Sequence, residues 1–189
     1  MPLLDFDDPL PCSPHRIVVA GTSGSGKTTL AGRVAGVLVV PHIEIDALHH
    51  GPGWTPRETF LADVESFTGG PGWVTEWQYR AVRELLADRA DLMVWLDLPR
   101  HVVMRQVVRR TIRRRMRREV LWNGNVEPGL RTFFINRDHI VRWSWRTHGL
   151  YPKRVRELVS QRPHLPVVRL RSHDQATRWV AGSLTASVR

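Results

Sequence analysis

Apolar positions along this chain switch repeatedly between two rhythms, short β-like runs and longer stretches of helical spacing. Residues 16–20 (Arg-Ile-Val-Val-Ala) are a short β-branched run, as expected of a buried parallel strand. Behind it Leu30, Val34, Val37 and Leu38 recur at helical spacing, with Ala31 and Ala35 between. Residues 41–46 read as a second strand ending in Asp46, and 47–55 as a loop containing Gly51, Pro52 and Gly53. Thr55 and Pro56 have the chemistry of a helix start, and Phe60, Val64 and Phe67 then share one face before Gly69-Gly70-Pro71-Gly72 ends it. Residues 73–76 make a third strand, and 81–89 a helix with Val82, Leu85 and Leu86 inward. A fourth strand over 92–98 is closed by Pro99. A helix from about Arg100 carries Val103, Val107 and Ile112, and 121–128 looks irregular. Residues 131–147 read as helical, with Phe134, Ile135, Val141 and Trp145 as core candidates. Helix 151–160, strand 165–170 and helix 175–184 complete the chain.

Strands alternating with helices predict βαβ units and a parallel sheet covered on both faces. Ligands of such sheets sit at the carboxyl ends of the strands, where Asp46, Glu76 and Asp97 fall. A length of 189 residues suits one domain. Residues 1–14, with four prolines and three aspartates, read as a flexible lead-in.

The chemistry concentrates in Gly21-Thr22-Ser23-Gly24-Ser25-Gly26-Lys27-Thr28-Thr29, between the first strand and first helix. It fits G-x-x-x-x-G-K-[ST], the phosphate-binding P-loop, in the strand–loop–helix context that the motif requires. Glycines let the backbone turn tightly and approach an anion, the N–H groups of the turn form a nest, and the helix N-terminus adds partial positive charge. Lys27 can reach the β- and γ-phosphates of ATP, and the Thr28 hydroxyl can ligate Mg²⁺. The chain has 26 arginines and only two lysines, one of them at the motif position.

Charge sharpens the picture. The net charge is +10, and residues 100–118 alone hold nine arginines and no acid. On a helix Arg105, Arg109 and Arg113 share a face. Such a row suits a lid that closes over the triphosphate, with Arg105 and Arg109 contacting nucleotide and Arg109 and Arg113 acting in transfer. It equally suits a polyanion-binding patch for DNA or RNA, although nothing resembles a specific DNA reader. A solvated helix face is the third option. A single cysteine, Cys12, excludes an internal disulfide, and neither a signal peptide nor an apolar run of membrane-spanning length is present, so a cytoplasmic protein is expected.

The P-loop, Ile45-Asp46-Ala47-Leu48-His49, Pro52-Gly53-Trp54, residues 73–79, residues 95–100 and the arginines that follow resemble the adenylate-kinase-like P-loop proteins. They are most similar to those described as DNA topology modulation proteins or small kinases. The resemblance implies a three-layer α/β P-loop NTPase fold with a five-stranded parallel sheet, helices on both faces, an acceptor-binding insertion (47–71) and an arginine-rich lid (105–130). It also favours Glu76 over Asp97 as the acid holding the metal's waters. Relatives carry Asp-Gly-Asn-Tyr where this chain has Glu76-Trp77-Gln78-Tyr79, keeping the acid but replacing the glycine with a large ring. Arg80 stands where adenylate kinases bind the acceptor phosphate. With Arg57 and Asp46 it makes the expected acceptor contacts, Asp46 being the candidate general base for a hydroxyl acceptor. The expected activity is transfer of the γ-phosphoryl of MgATP to a small acceptor. The alternative is a nucleotide-dependent nucleic-acid-binding or regulatory ATPase using residues 100–118.

Overall fold

The β-branched run Arg16–Gly21 becomes the central strand of a six-stranded, wholly parallel sheet. The computed structural model describes residues 3–117, 120–125 and 140–188. Its strands are β1 (Leu3–Leu4), β2 (Arg16–Gly21), β3 (His42–Ile43), β4 (Trp73–Glu76), β5 (Leu92–Leu96) and β6 (Val167–Leu170), in spatial order β1-β6-β5-β2-β4-β3. The described helices are α1 (Lys27–Leu38), α2 (Ile45–His49), α3 (Phe60–Thr68), α4 (Arg83–Arg89), α5 (Arg100–Arg117), α6 (Ile140–Thr147), α7 (Leu150–Gln161), α8 (His173–Trp179) and α9 (Thr185–Ser187).

Successive residues of a strand face opposite sides of the sheet, and both sides are buried. Ile17 and Val19 join a core under α1, α5 and α8, with Leu30, Val34, Val103, Val107 and Trp179. Val18 and Ala20 face the other core, under α3, α4 and α7, with Phe60, Val64, Leu86, Val155 and Leu158. Register sets β2 beside both neighbours, Val19 opposite Glu76 and Gly21 opposite Leu96, so the loop after β2 emerges between the ends of β4 and β5.

Four expectations change. The sheet has six strands, not five: Leu3 and Leu4 pair with Val167 and Val168, so the supposed lead-in supplies an edge strand, and Leu4, Phe6 and Leu10 pack on the core. The strand expected over 41–46 is only His42–Ile43. Ile45 turns into the second core and its N–H donates to Glu76 Oε2 (3.1 Å), which places Asp46 in the first turn of α2. The helix expected from Thr55 starts at Phe60, because residues 49–57 close on themselves first, with Gly51 N–H on Thr55 O (2.7 Å) and Arg57 N–H on His49 O (2.9 Å). Trp145 is 54% exposed beneath the Arg100 guanidinium (4.8 Å), whereas Ser144 and Thr147 are the buried residues of α6. The core candidates Phe134 and Ile135 lie outside the described residues, as does part of the expected lid.

Candidate active site

Gly21, Gly24 and Gly26 all take positive φ (153°, 84° and 92°). Two of them are also closed in by neighbours. A Cβ on Gly24 would lie 2.0 Å from Val107 Cγ2 of α5, and one on Gly21 would lie 2.7 Å from Ser25 Oγ. The loop is thus wedged between β2 and α5, and only glycine fits. Ser25 N–H donates to Thr22 O (3.0 Å), and no side chain caps the start of α1. Its first N–H groups are left to an anion or to solvent. Ser25 Oγ is buried and, among the described residues, has no hydrogen-bond partner.

Lys27 lies beneath this loop, 7% exposed, with Nζ donating to Thr22 O (3.3 Å). Burial pushes its amine down to about 8, against the pull of the Asp46 and Glu76 carboxylates and with the push of the Arg110 guanidinium. Glu76, at the end of β4, is 3% exposed. Burial would raise its carboxyl. The opposing hydrogen bonds from His42 Nε2 (3.3 Å), Ile45 N–H (3.1 Å) and the Thr28 hydroxyl prevail and hold it below the usual range. The Thr28 hydroxyl and the Glu76 carboxylate therefore meet beside Lys27. Two oxygen donors of this kind fit Mg²⁺, which keeps most of its waters and leans on substrate phosphates. Among the described residues no cluster of three or more His, Cys, Asp or Glu could cage a metal. Asp97, the other candidate acid, instead faces Arg169, which donates both Nε (2.8 Å) and Nη2 to its Oδ2.

Asp46 stands on the insertion side, near enough for its carboxylate to draw the Lys27 amine upward. Tyr79 donates its hydroxyl to Asp46 Oδ1 (2.5 Å), Gln78 Nε2 donates to the same oxygen, and His50 Nε2 contacts the Tyr79 hydroxyl (3.0 Å). Burial, then the Asp46 carboxylate, raise the Tyr79 phenol far above its usual range, so it remains a donor. Tyr79 holds φ 59°, a left-handed turn that costs about 1 kcal/mol and aims its ring at Asp46, where it stacks on His49 (3.8 Å). Among the described residues Asp46 Oδ2 has no hydrogen-bond partner. Trp77, the departure from the resembled pattern, buries its ring in the second core and donates Nε1 to Arg83 O (3.0 Å).

The remaining expected residues do not converge. Arg105, Arg109 and Arg113 are exposed on the outer side of α5. The arginine whose charge is felt at Lys27 is Arg110, which shares the inward face with Val103 and Val107. That stripe was visible in the sequence and points to Arg110 and Arg114 rather than to the 105/109/113 row. Arg57 pairs with Asp63 (3.1 Å), and Arg80 is exposed. Ser23 O accepts from Ser144 Oγ (2.8 Å), tying α6 to the P-loop, and Thr29 is exposed at the start of α1.

A contact unforeseen from sequence closes the insertion. Trp122 Nε1 donates to Glu44 Oε2 (2.8 Å) and Asn123 Nδ2 to His50 O (2.5 Å). Asn125, 4% exposed, donates to Gly51 O (2.9 Å) and accepts from Trp54 N–H (3.0 Å). Residues 121–125, beyond α5, thus clasp residues 44–54.

No protein-family model and no curated protein matches the chain. Solved structures do. A gluconokinase from Sinorhizobium meliloti is 21% identical over 94% of this chain and 95% of its own, with a TM-score of 0.51. A sugar kinase from Janibacter is 18% identical over 99% of this chain and 98% of its own (TM-score 0.49). A shikimate kinase from Bacteroides thetaiotaomicron is 16% identical over 89% and 95% (TM-score 0.44). The gluconokinase match shows a shared α/β fold. No described helix is long and apolar enough to cross a membrane.

Proposed function

We propose that the protein is a small-metabolite kinase that transfers the γ-phosphoryl group of ATP to a hydroxyl on a compact acceptor. The observation that carries this reading is the nearness of two half-sites. One is the glycine nest with Lys27, Thr28 and Glu76; the other is Asp46, held by Tyr79 and Gln78 with one carboxylate oxygen open. The nest and Lys27 hold the β- and γ-phosphates, and Arg110 adds charge from α5. Mg²⁺, when bound near Thr28 and Glu76, neutralises phosphate charge. Asp46 Oδ2 receives the acceptor's hydroxyl proton as the hydroxyl oxygen bonds to the γ-phosphorus. The bond from the γ-phosphorus to the bridging oxygen breaks, and ADP leaves with its electron pair. The fold shared with a gluconokinase supports this reading.

The test is ADP formation with Mg²⁺ across a panel of nucleosides, nucleotides, sugars and hydroxy acids, with DNA and RNA as separate additions. One small acceptor should dominate, and Asp46→Asn should cut kcat about 10²–10⁴-fold while leaving affinity for a non-hydrolysable ATP analogue unchanged. ADP formation that only nucleic acid stimulates, or an Asp46→Asn enzyme as fast as the parent, would refute it.

A further inference from the structure

Beside Asp46, the start of α4 and the first turns of α7 bring two arginines together with a buried tyrosine. Arg83 opens α4, its backbone fixed by the bond from Trp77 Nε1 to its carbonyl (3.0 Å), and its guanidinium lies 5.6 Å from the Trp77 ring centre. Arg154, one turn after Tyr151 on α7, sets its guanidinium 5.6 Å from the Tyr151 ring centre. Both arginines are half-buried, and Tyr151 is 9% exposed.

Neither guanidinium donates a hydrogen bond or pairs with an acid among the described residues. The acids of α4 are already engaged: Glu84 takes Arg162 Nη2 (2.5 Å) and Asp88 takes Arg162 Nε (2.7 Å). Arg83 feels burial first and then the like charge of Arg154, and these lower it despite the opposing pull of Tyr151 and of the Glu84 carboxylate. Burial pushes the Tyr151 phenol up to about 12; Arg154 and Arg83 draw it down and Asp46 pushes it up. Two half-buried cations and a phenol donor are therefore close neighbours, and the candidate base is near enough to act on the phenol. Half-buried like charges with no directly paired acid are costly, and a guanidinium pair is suited to bidentate capture of a planar or tetrahedral anion.

We propose that Arg83 and Arg154 form an anion-binding subsite beside Asp46, and that the acceptor carries a carboxylate or phosphate group there in addition to its reacting hydroxyl. The subsite rests on the kinase reading for its role, but its existence is tested without turnover. A neutral polyol leaves the two guanidiniums uncompensated, so selection against neutral acceptors follows directly.

The direct measurement is titration calorimetry of inorganic phosphate into protein saturated with β,γ-imido-ATP and Mg²⁺, so that the P-loop is occupied. The parent protein should bind phosphate, and Arg83→Gln and Arg154→Gln should each weaken it about 10- to 100-fold while the analogue binds as before. Arg154→Lys should recover part of the loss, because charge returns without the bidentate fork. No phosphate binding by the parent, or equal binding by both variants, overturns the subsite. Guanidiniums that merely pack on rings would give that second result with lowered stability. Gluconate, glucose 6-phosphate and glucose then separate the two anion sources. Turnover of glucose as efficient as that of either anion also overturns the proposal. If nothing in the acceptor panel turns over, the kinase reading fails while the phosphate titration still decides the subsite.

Discussion

Replacing Lys27 with methionine should stabilise the ligand-free protein while destroying nucleotide binding. Lys27 is 7% exposed, and burial lowers its amine from 10.5 to about 8. That lowering corresponds to about 3 kcal/mol spent on holding the charged form at neutral pH. Methionine keeps the stem's volume and removes that cost. It also takes a cation away from Asp46 and Glu76, which returns part of the gain, so the net is about 1–3 kcal/mol. For a chain of this length that raises Tm by roughly 2–12 °C. The sign with pH is definite. Because the folded-state value is the lower one, the unfolded chain binds more protons between pH 8 and 10.5, so the parent's stability rises across that window. The advantage of Lys27→Met should therefore be full below pH 8 and shrink towards pH 10.5. Urea unfolding of both ligand-free proteins at several pH values measures this, and calorimetry with β,γ-imido-ATP measures the lost binding. A variant less stable than its parent at pH 7, or a stability gap indifferent to pH, would refute the reasoning.

Two further predictions concern the loop and the clasp. Gly24→Ala places a Cβ 2.0 Å from Val107 Cγ2 at φ 84°, so left-handed strain and overpacking together should cost about 2–5 kcal/mol. Calorimetric Tm should fall by at least about 4 °C, and adding Val107→Ala should cost less than the two single changes summed. Asn125→Ala removes the acceptor for Trp54 N–H and the donor to Gly51 O. Hydrogen exchange at the Trp54 amide should accelerate about 10- to 100-fold while the amides of β2 are unaffected; no change would mean that the clasp does not hold residues 44–54.

Legibility in the sequence followed the distance over which the chemistry is encoded. The P-loop needs only nine consecutive residues and their flanking strand and helix, so its glycine turns and the helix behind it could be placed before the fold was known. Strand β4 and helix α5 start where periodicity and Pro99 put them. β1 was missed because two leucines show no period, and they become a strand only when β6 offers an unpaired edge. The helix face of α5 was misread for a physical reason: charge spacing in an arginine-rich segment selects many rows, but only the row continuous with Val103, Val107 and Thr111 turns inward.

Arg83, Arg154 and Tyr151 carry no local signal at all, since each alone resembles a solvated or packed residue on an ordinary helix. What sets them apart is a balance visible only in three dimensions: Glu84 and Asp88 pair directly with Arg162 rather than with Arg83, and α7 delivers a second cation instead of a carboxylate. A fold built only for stability gains nothing from that exchange. The surplus positive charge beside Asp46 is therefore the feature of this cleft that calls for a ligand, and its sign specifies an anion.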